Sequence, residues 1–299
     1  MENKDILHIK NIKNIKVCEN VSLKNYTSFK LNEVASMVVY PSDVSALQEL
    51  LTYLNKEEIK HKVIGNGSNL IFVNDYDGVL IKLEELNDLS IDDTVVTVGA
   101  GYSLIKLATK VSKMGLTGLE FATGIPGTVG GAIYMNAGAY KSDMGYIVSE
   151  IKVLTPNLEI KTMYNKDLDF HYRNSFLQKN PGYICLEAKL VLKNGNPEEI
   201  SELIEERKQR RLMTQPLEYP SAGSVFRNPE GDYAGRLIES IGYKNKHIND
   251  AYVSEKHANF IINKGNATGS DIKQLIMEIQ DKVKQEFGIN LKAEQEFVE

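Results

Sequence analysis

The spacing of apolar and polar positions changes period along the chain, and the changes mark its elements. Val34-Ala35-Ser36-Met37-Val38-Val39-Tyr40 is dense in apolar and β-branched residues, so it predicts a strand halted by Pro41. Ser42 then caps a helix over about 43–55, with Val44, Leu47, Leu51 and Leu54 on one face. Lys62-Val63-Ile64 reads as a short strand that completes a βαβ unit, and 72–83 as a further strand. A strand over 94–98 precedes a helix capped by Ser103, with Leu104, Leu107, Val111 and Met114 facing inward and Gly115 closing it. Strand-like runs follow at 147–155 and 183–192. Asn196-Pro197-Glu198-Glu199 starts a helix that carries Ile200, Leu203 and Ile204 into the basic run 207–211. Pro216 and Pro220 bracket a loop where the domain changes. A last helix, capped by Ser270, sets Ile272, Leu275, Ile276, Ile279, Val283 and Phe287 on one face and stops at Gly288. Residues 289–299 read as a terminal strand. The first 30 residues are a Lys- and Asn-rich lead-in whose start is expected to be mobile.

Composition narrows the class. The chain has 299 residues, 42% hydrophobic and 25% charged, enough for two or three subdomains with cores of their own. A net charge of −5 argues against a nucleic-acid or anionic-membrane surface. With two cysteines and five scattered histidines, neither a disulfide framework nor a metal site is expected. The N-terminus is charged, and no run approaches the roughly 18 apolar residues of a membrane helix. The expectation is a cytoplasmic protein without membrane or nucleic-acid partners.

Glycine then points to chemistry. Gly124-Ile125-Pro126-Gly127-Thr128-Val129-Gly130-Gly131-Ala132-Ile133-Tyr134-Met135-Asn136-Ala137-Gly138 holds five glycines in fifteen residues. Such a run is either a set of tight turns or a cradle of main-chain N–H groups for a phosphate. A second cluster, Gly65-Asn66-Gly67-Ser68-Asn69-Leu70, follows a strand, but Leu70 replaces the third glycine of a dinucleotide fingerprint and no long helix follows. No Gly-Lys-Ser/Thr or Gly-x-Ser-x-Gly sequence accompanies either cluster.

Three polar clusters remain: Tyr172-Arg173-Asn174-Ser175, Ser221-Ala222-Gly223-Ser224-Val225-Phe226-Arg227-Asn228-Pro229, and Glu294. Singly they read as a loop arginine, a capping serine and a strand-edge glutamate. Together an arginine that grips a carboxylate, a serine that moves a proton and an orienting glutamate suit reduction of a double bond conjugated to a carboxylate.

These five motifs, in this order from about Tyr26 to Glu294, resemble the UDP-N-acetylenolpyruvoylglucosamine reductase (MurB) family in its shorter, second type. The resemblance implies an α+β protein. A two-subdomain, PCMH-type FAD-binding region would span 1–205, divided roughly at 85, before a C-terminal α+β substrate-binding domain at 206–299. It implies that FAD is held by Gly65, Asn66, Gly67, Ser68, Asn69, Gly124, Pro126, Gly127, Thr128, Gly130, Gly131, Asn136 and Gly138, with NADPH as co-substrate. By position Ser224 matches the proton donor, Arg173 and Glu294 the pair that polarises the substrate carboxylate, and Tyr172 and Asn228 substrate contacts. The implied substrate is a UDP-sugar enolpyruvyl ether, and the implied enzyme a monomeric oxidoreductase. Two departures stand out: Leu31-Asn32-Glu33 where the family has paired glycines, and Gln295-Glu296 in a Glu-Val-Arg-Phe pattern. The other readings are a different FAD-dependent oxidoreductase of the same fold, or a catalytically weakened flavin or UDP-sugar binding protein.

Overall fold

A computed structural model describes residues 2–299. By packing, the chain forms two compact units, neither continuous: residues 2–19, Met37–Asn66 and Gly78–Lys208, and then Asn20–Ser36, Gly67–Asp77 and Gln209–Glu299. Helices and mixed sheets make the class α+β.

Besides two short two-stranded pairs, the first unit holds a five-stranded sheet and most of a four-stranded one. The latter runs in the order Ile15–Ser22, Val34–Pro41, Tyr76–Lys82, His61–Ile64, with His61–Ile64 parallel to the strand beside it. Met37, Val39, Val79 and Ile81 pack there against Leu47, Leu50 and Leu54 of the helix Val44–Lys56. That helix is capped by Asp43 rather than Ser42: the Asp43 carboxylate accepts from the Ala46 N–H at 2.8 Å and from Asn14 Nδ2 at 2.9 Å. The lead-in is also ordered. Asn3–Asn11 is a helix with a reciprocal Glu2–Asp5 capping box, and its Ile9 is fully buried. Ile9 and Ile12 are its only buried apolar anchors, too few to show as a period.

The other sheet is antiparallel, in the order Ile160–Tyr164, Val148–Leu154, Ile184–Val191, Val95–Gly99, Leu89–Asp92. The helix Leu104–Lys113 buries Leu104, Leu107 and Val111 against it. Ser103 caps this helix as expected, but Met114 lies at the C-cap and is 54% exposed, not inward. The helix Pro197–Thr214 buries only Ile200. Leu203, expected on its apolar face, is exposed.

The second unit has a three-stranded antiparallel sheet, His247–Ile248, Ala251–Val253 and Ile261–Asn263. A parallel pair joins Leu70–Phe72 to Glu296–Val298. The expected strand over 72–83 is thus two strands that diverge after Phe72, and the terminal strand is only three residues long. Phe29, Leu31, Ile71 and Phe226 pack with Leu237, Ile272, Leu275 and Ile279. The helix Gly269–Phe287 is capped by Thr268 in a capping box with Asp271, because the Ser270 hydroxyl donates instead to the Val73 carbonyl. Glu33 also serves this helix start: its Oε1 accepts from the Gly269 N–H at 2.7 Å, where the helix dipole favours an anion.

Candidate active site

In the first unit the two glycine clusters meet. A Cβ on Gly65 would stand 2.7 Å from Thr128 Oγ1, so only glycine lets the loop after His61–Ile64 approach this closely. Thr128 caps the helix Val129–Tyr134, its Oγ1 accepting from the Gly131 N–H at 3.2 Å. The stretch is stitched down on its other side: Gly130 N–H to Ala100 O at 2.8 Å, Val129 N–H to Tyr102 O at 2.9 Å, and Leu104 N–H to Gly127 O at 3.0 Å. A Cβ on Gly130 would lie 2.9 Å from that of Ala100. The N–H groups of Gly65, Asn66, Gly127 and Thr128 have no protein acceptor among the described residues. Unpaired donors on two glycine-bearing loops held together fit the pyrophosphate of FAD. The sequence left turns and cradle open at 124–138; the structure has a short capped helix there, with the Gly127 and Thr128 N–H groups ahead of it lacking an acceptor among the described residues.

The same unit builds a frame around Arg173. Asn136 is 2% exposed and left-handed at φ +43°, and both ends of its amide are committed: Nδ2 donates to His171 O, and Oδ1 accepts from the Gly145 N–H, both at 2.9 Å. It therefore acts as a brace for the 171–174 turn, which closes by paired hydrogen bonds between His171 and Asn174. The Ser175 hydroxyl donates to Tyr134 O at 2.7 Å, and Gln178 Nε2 donates to the same carbonyl and to Arg173 O. Arg173 is left-handed at φ +55°, a conformation of about 1–3 kcal/mol for a residue with a Cβ. The bracing on both sides holds it there. One guanidinium nitrogen donates to Gly138 O at 2.8 Å, and the group lies 5.1 Å from the Tyr172 ring, which is largely exposed.

The second unit contains Gly67, Ser68, Asn69, Ser224, Asn228 and Glu294. Gly67 is left-handed, and a Cβ there would run into Tyr26 O at 1.9 Å. Ser224 and Glu294 lie on adjacent segments. Ser224 bridges to Phe260, Phe226 bridges to Ala293, and the Glu294 N–H donates to Val225 O at 2.7 Å. Asn69, expected at the cofactor, donates its amide to Glu294 O at 3.0 Å and ties the loop to the glutamate's backbone. Asn228 uses Oδ1 to accept from the Ala234 N–H, capping the helix Ala234–Ser240.

Two buried amides complete this arrangement: Asn259, which sequence reasoning passes over, and Gln295, which it marks only as a departure from the family pattern. Asn259, 4% exposed, pairs both amide ends with the Phe226 backbone, and its carbonyl accepts from the Val225 N–H at 2.8 Å. Gln295, equally buried, donates from Nε2 to Ala222 O at 3.1 Å and Ser224 O at 2.8 Å. The only visible signal is an amide in an apolar setting. Beside Asn259, burial lowers the pKa of His257, and its Nδ1 accepts from the Asn259 N–H at 3.2 Å. Among the described residues no group of His, Cys, Asp and Glu could hold a metal ion, and no helix is long and apolar enough to cross a membrane.

Comparison with known proteins adds independent support. Residues 215–298 match the C-terminal domain of UDP-N-acetylenolpyruvoylglucosamine reductase, and residues 35–163 match an FAD binding domain. The enzyme of that name from Anoxybacillus flavithermus is 47% identical over 285 residues, covering 94% of each chain. The one from Bacillus subtilis is 42% identical, covering 95% of this chain and 94% of its own. A crystal structure of the Thermus caldophilus enzyme superposes with a TM-score of 0.81 at 32% identity, covering 95% of this chain and 99% of that one. The chain belongs to the UDP-N-acetylenolpyruvoylglucosamine reductase (MurB) family.

Proposed function

We propose that this chain reduces the enolpyruvyl ether of UDP-N-acetylglucosamine to UDP-N-acetylmuramate at the expense of NADPH, as a step in peptidoglycan precursor synthesis. FAD, when bound, would supply the hydride chemistry between the nicotinamide and the β-carbon of the enolpyruvyl group. The N–H groups of Gly65, Asn66, Gly127 and Thr128 receive its pyrophosphate, with the remaining glycines of 124–138 leaving room for it.

The residues named by resemblance divide the rest of the work. Negative charge grows on the carboxylate side only as the β-carbon is attacked, so a preplaced Arg173 guanidinium lowers the barrier rather than merely binding substrate. The Ser224 hydroxyl gives its proton to the α-carbon and regains one from solvent. Serine is a weak acid, but an enolate is basic enough to take that proton. Glu294 orients the carboxylate with Arg173, while Tyr172 and Asn228 contact substrate. The division of labour is 1–205 for the cofactor and 206–299 for the UDP-sugar, in a monomeric cytoplasmic enzyme.

The observation that carries this reading is the lacing of the Ser224 and Glu294 segments, with the Glu294 N–H on Val225 O at 2.7 Å. The segments that carry Ser224 and Glu294, distant in sequence, are thereby adjacent, with Glu294 opposite Val225, which supports a shared role for the two residues. The purified protein should be yellow and should consume NADPH only when UDP-N-acetylglucosamine enolpyruvate is present. Colourless protein that takes up no added FAD would overturn the reading. Sustained NADPH turnover beyond one equivalent per flavin in the absence of the enolpyruvyl substrate would favour a different flavoenzyme.

A further inference from the structure

We infer that Gln295 is a positioning residue for the proton-transfer step, holding the Ser224 loop across the short segment between its backbone ties at Pro220 and Val225. The inference rests on the reading of Ser224 as proton donor. Downstream of Ser224 the main chain is well secured: Val225 and Phe226 are tied to Asn259, Val225 O to Glu294, and Phe226 bridges to Ala293. Upstream the next backbone tie is the Asn263 N–H on Pro220 O at 2.9 Å, which leaves the turn at 222–224 between the two. Gly223 is left-handed at φ +77°, and a Cβ placed on it would meet no atom within 4 Å. Packing therefore does not hold the middle of the turn. The Gln295 amide does so by bonding the carbonyls on either side of that glycine, Ala222 O and Ser224 O.

The chemistry of the side chain supports a positioning role over a packing one. Gln295 is 4% exposed, and its Oε1 is buried without a hydrogen-bond partner. An unsatisfied buried acceptor is a desolvation cost that an aliphatic side chain of similar volume avoids. What the amide supplies, and methionine or leucine would not, is two donors on one nitrogen aimed at two carbonyls. Those carbonyls belong to the peptide planes before Gly223 and after Ser224, so the two bonds span the Gly223–Ser224 pair and fix the direction of the Ser224 side chain between them. Displacing a reacting group by about 1 Å can cost on the order of 100-fold in rate.

Stopped-flow absorbance separates the two stages: NADPH bleaches the flavin, and the enolpyruvyl substrate restores its colour. Gln295→Met keeps the volume and removes the donors. It should leave bleaching unchanged and slow colour recovery by about 10- to 100-fold. In a Ser224→Ala background the same substitution should add nothing, since its effect passes through the serine. Gln295→Glu gives a pH signature. A neutral carboxyl can still donate to one carbonyl, whereas an ionised one cannot donate at all. Burial beside two carbonyl oxygens raises its pKa, so recovery should be near normal in acid and fall as pH rises through that pKa. Hydrogen exchange over 222–225 should quicken in the Met variant, a readout independent of turnover. Normal recovery in Gln295→Met, or additive losses in the double variant, would overturn the inference. If the Met variant does not fold, a Gln295→Glu recovery rate with the wild-type pH profile overturns it instead. Unchanged recovery in Ser224→Ala alone would bring down the reading of Ser224, and this inference with it.

Discussion

The glycine region of the first unit and the serine region of the second are built on opposite plans. At 65–66 and 127–131 the backbone itself offers the open groups: glycines permit close approach, one threonine caps a helix, and main-chain N–H groups are left without an acceptor among the described residues. At 222–226 and 293–295 the backbone is the scaffold, fixed by the buried amides of Asn259 and Gln295, and it carries Ser224 and Glu294, the side chains proposed for the chemistry. Arg173 stands between the plans, a functional side chain on a turn braced by Asn136, Ser175 and Gln178. The difference teaches that retention of the cofactor and reaction of the substrate should fail separately.

The sharpest break is at Gly65. A Gly65→Val protein should stay folded but lose its flavin, since the first side-chain atom already meets Thr128 Oγ1 at 2.7 Å; flavin absorbance per chain after gel filtration measures this. Full occupancy would show that the two loops do not form the cradle. Asn136→Ala comes next. It strands the His171 carbonyl and the Gly145 N–H, which predicts a loss of about 1–3 kcal/mol for each buried group left unpaired. Denaturant unfolding should show this, with substrate turnover hurt more than flavin binding. Thr128→Ala removes a helix cap of about 1 kcal/mol and should weaken FAD binding only several-fold, as read by fluorescence titration. The smallest effect concerns thiols. Cys185 is buried, and burial pushes its thiol up to about 12, so a thiol reagent should modify only Cys18 in the native protein and both on unfolding.

The two plans also explain what could be read from sequence. Glycines that a backbone site requires are visible as such, which is why both clusters stood out and then met in space. The amides behind Ser224 were not visible, because an asparagine or glutamine bonded to main chain leaves no period and no motif. Caps were misplaced by one or two residues where rival groups adjoin, Ser42 beside Asp43 and Ser270 beside Thr268. The N-terminal helix was missed because so few of its residues are apolar anchors. The parallel pairing of Leu70–Phe72 with Glu296–Val298 joins the C-terminal strand to a segment far back in the sequence, a separation that local patterning cannot register. Glu33, an odd charge by sequence, is accounted for once the start of Gly269–Phe287 is seen beside it.

The most direct test of this separation is stopped-flow flavin absorbance in Ser224→Ala. The account predicts full flavin content, bleaching by NADPH at the wild-type rate, and recovery on substrate addition slowed by a factor on the order of 100–10,000, the range of general acid–base catalysis. Recovery at the wild-type rate would contradict it.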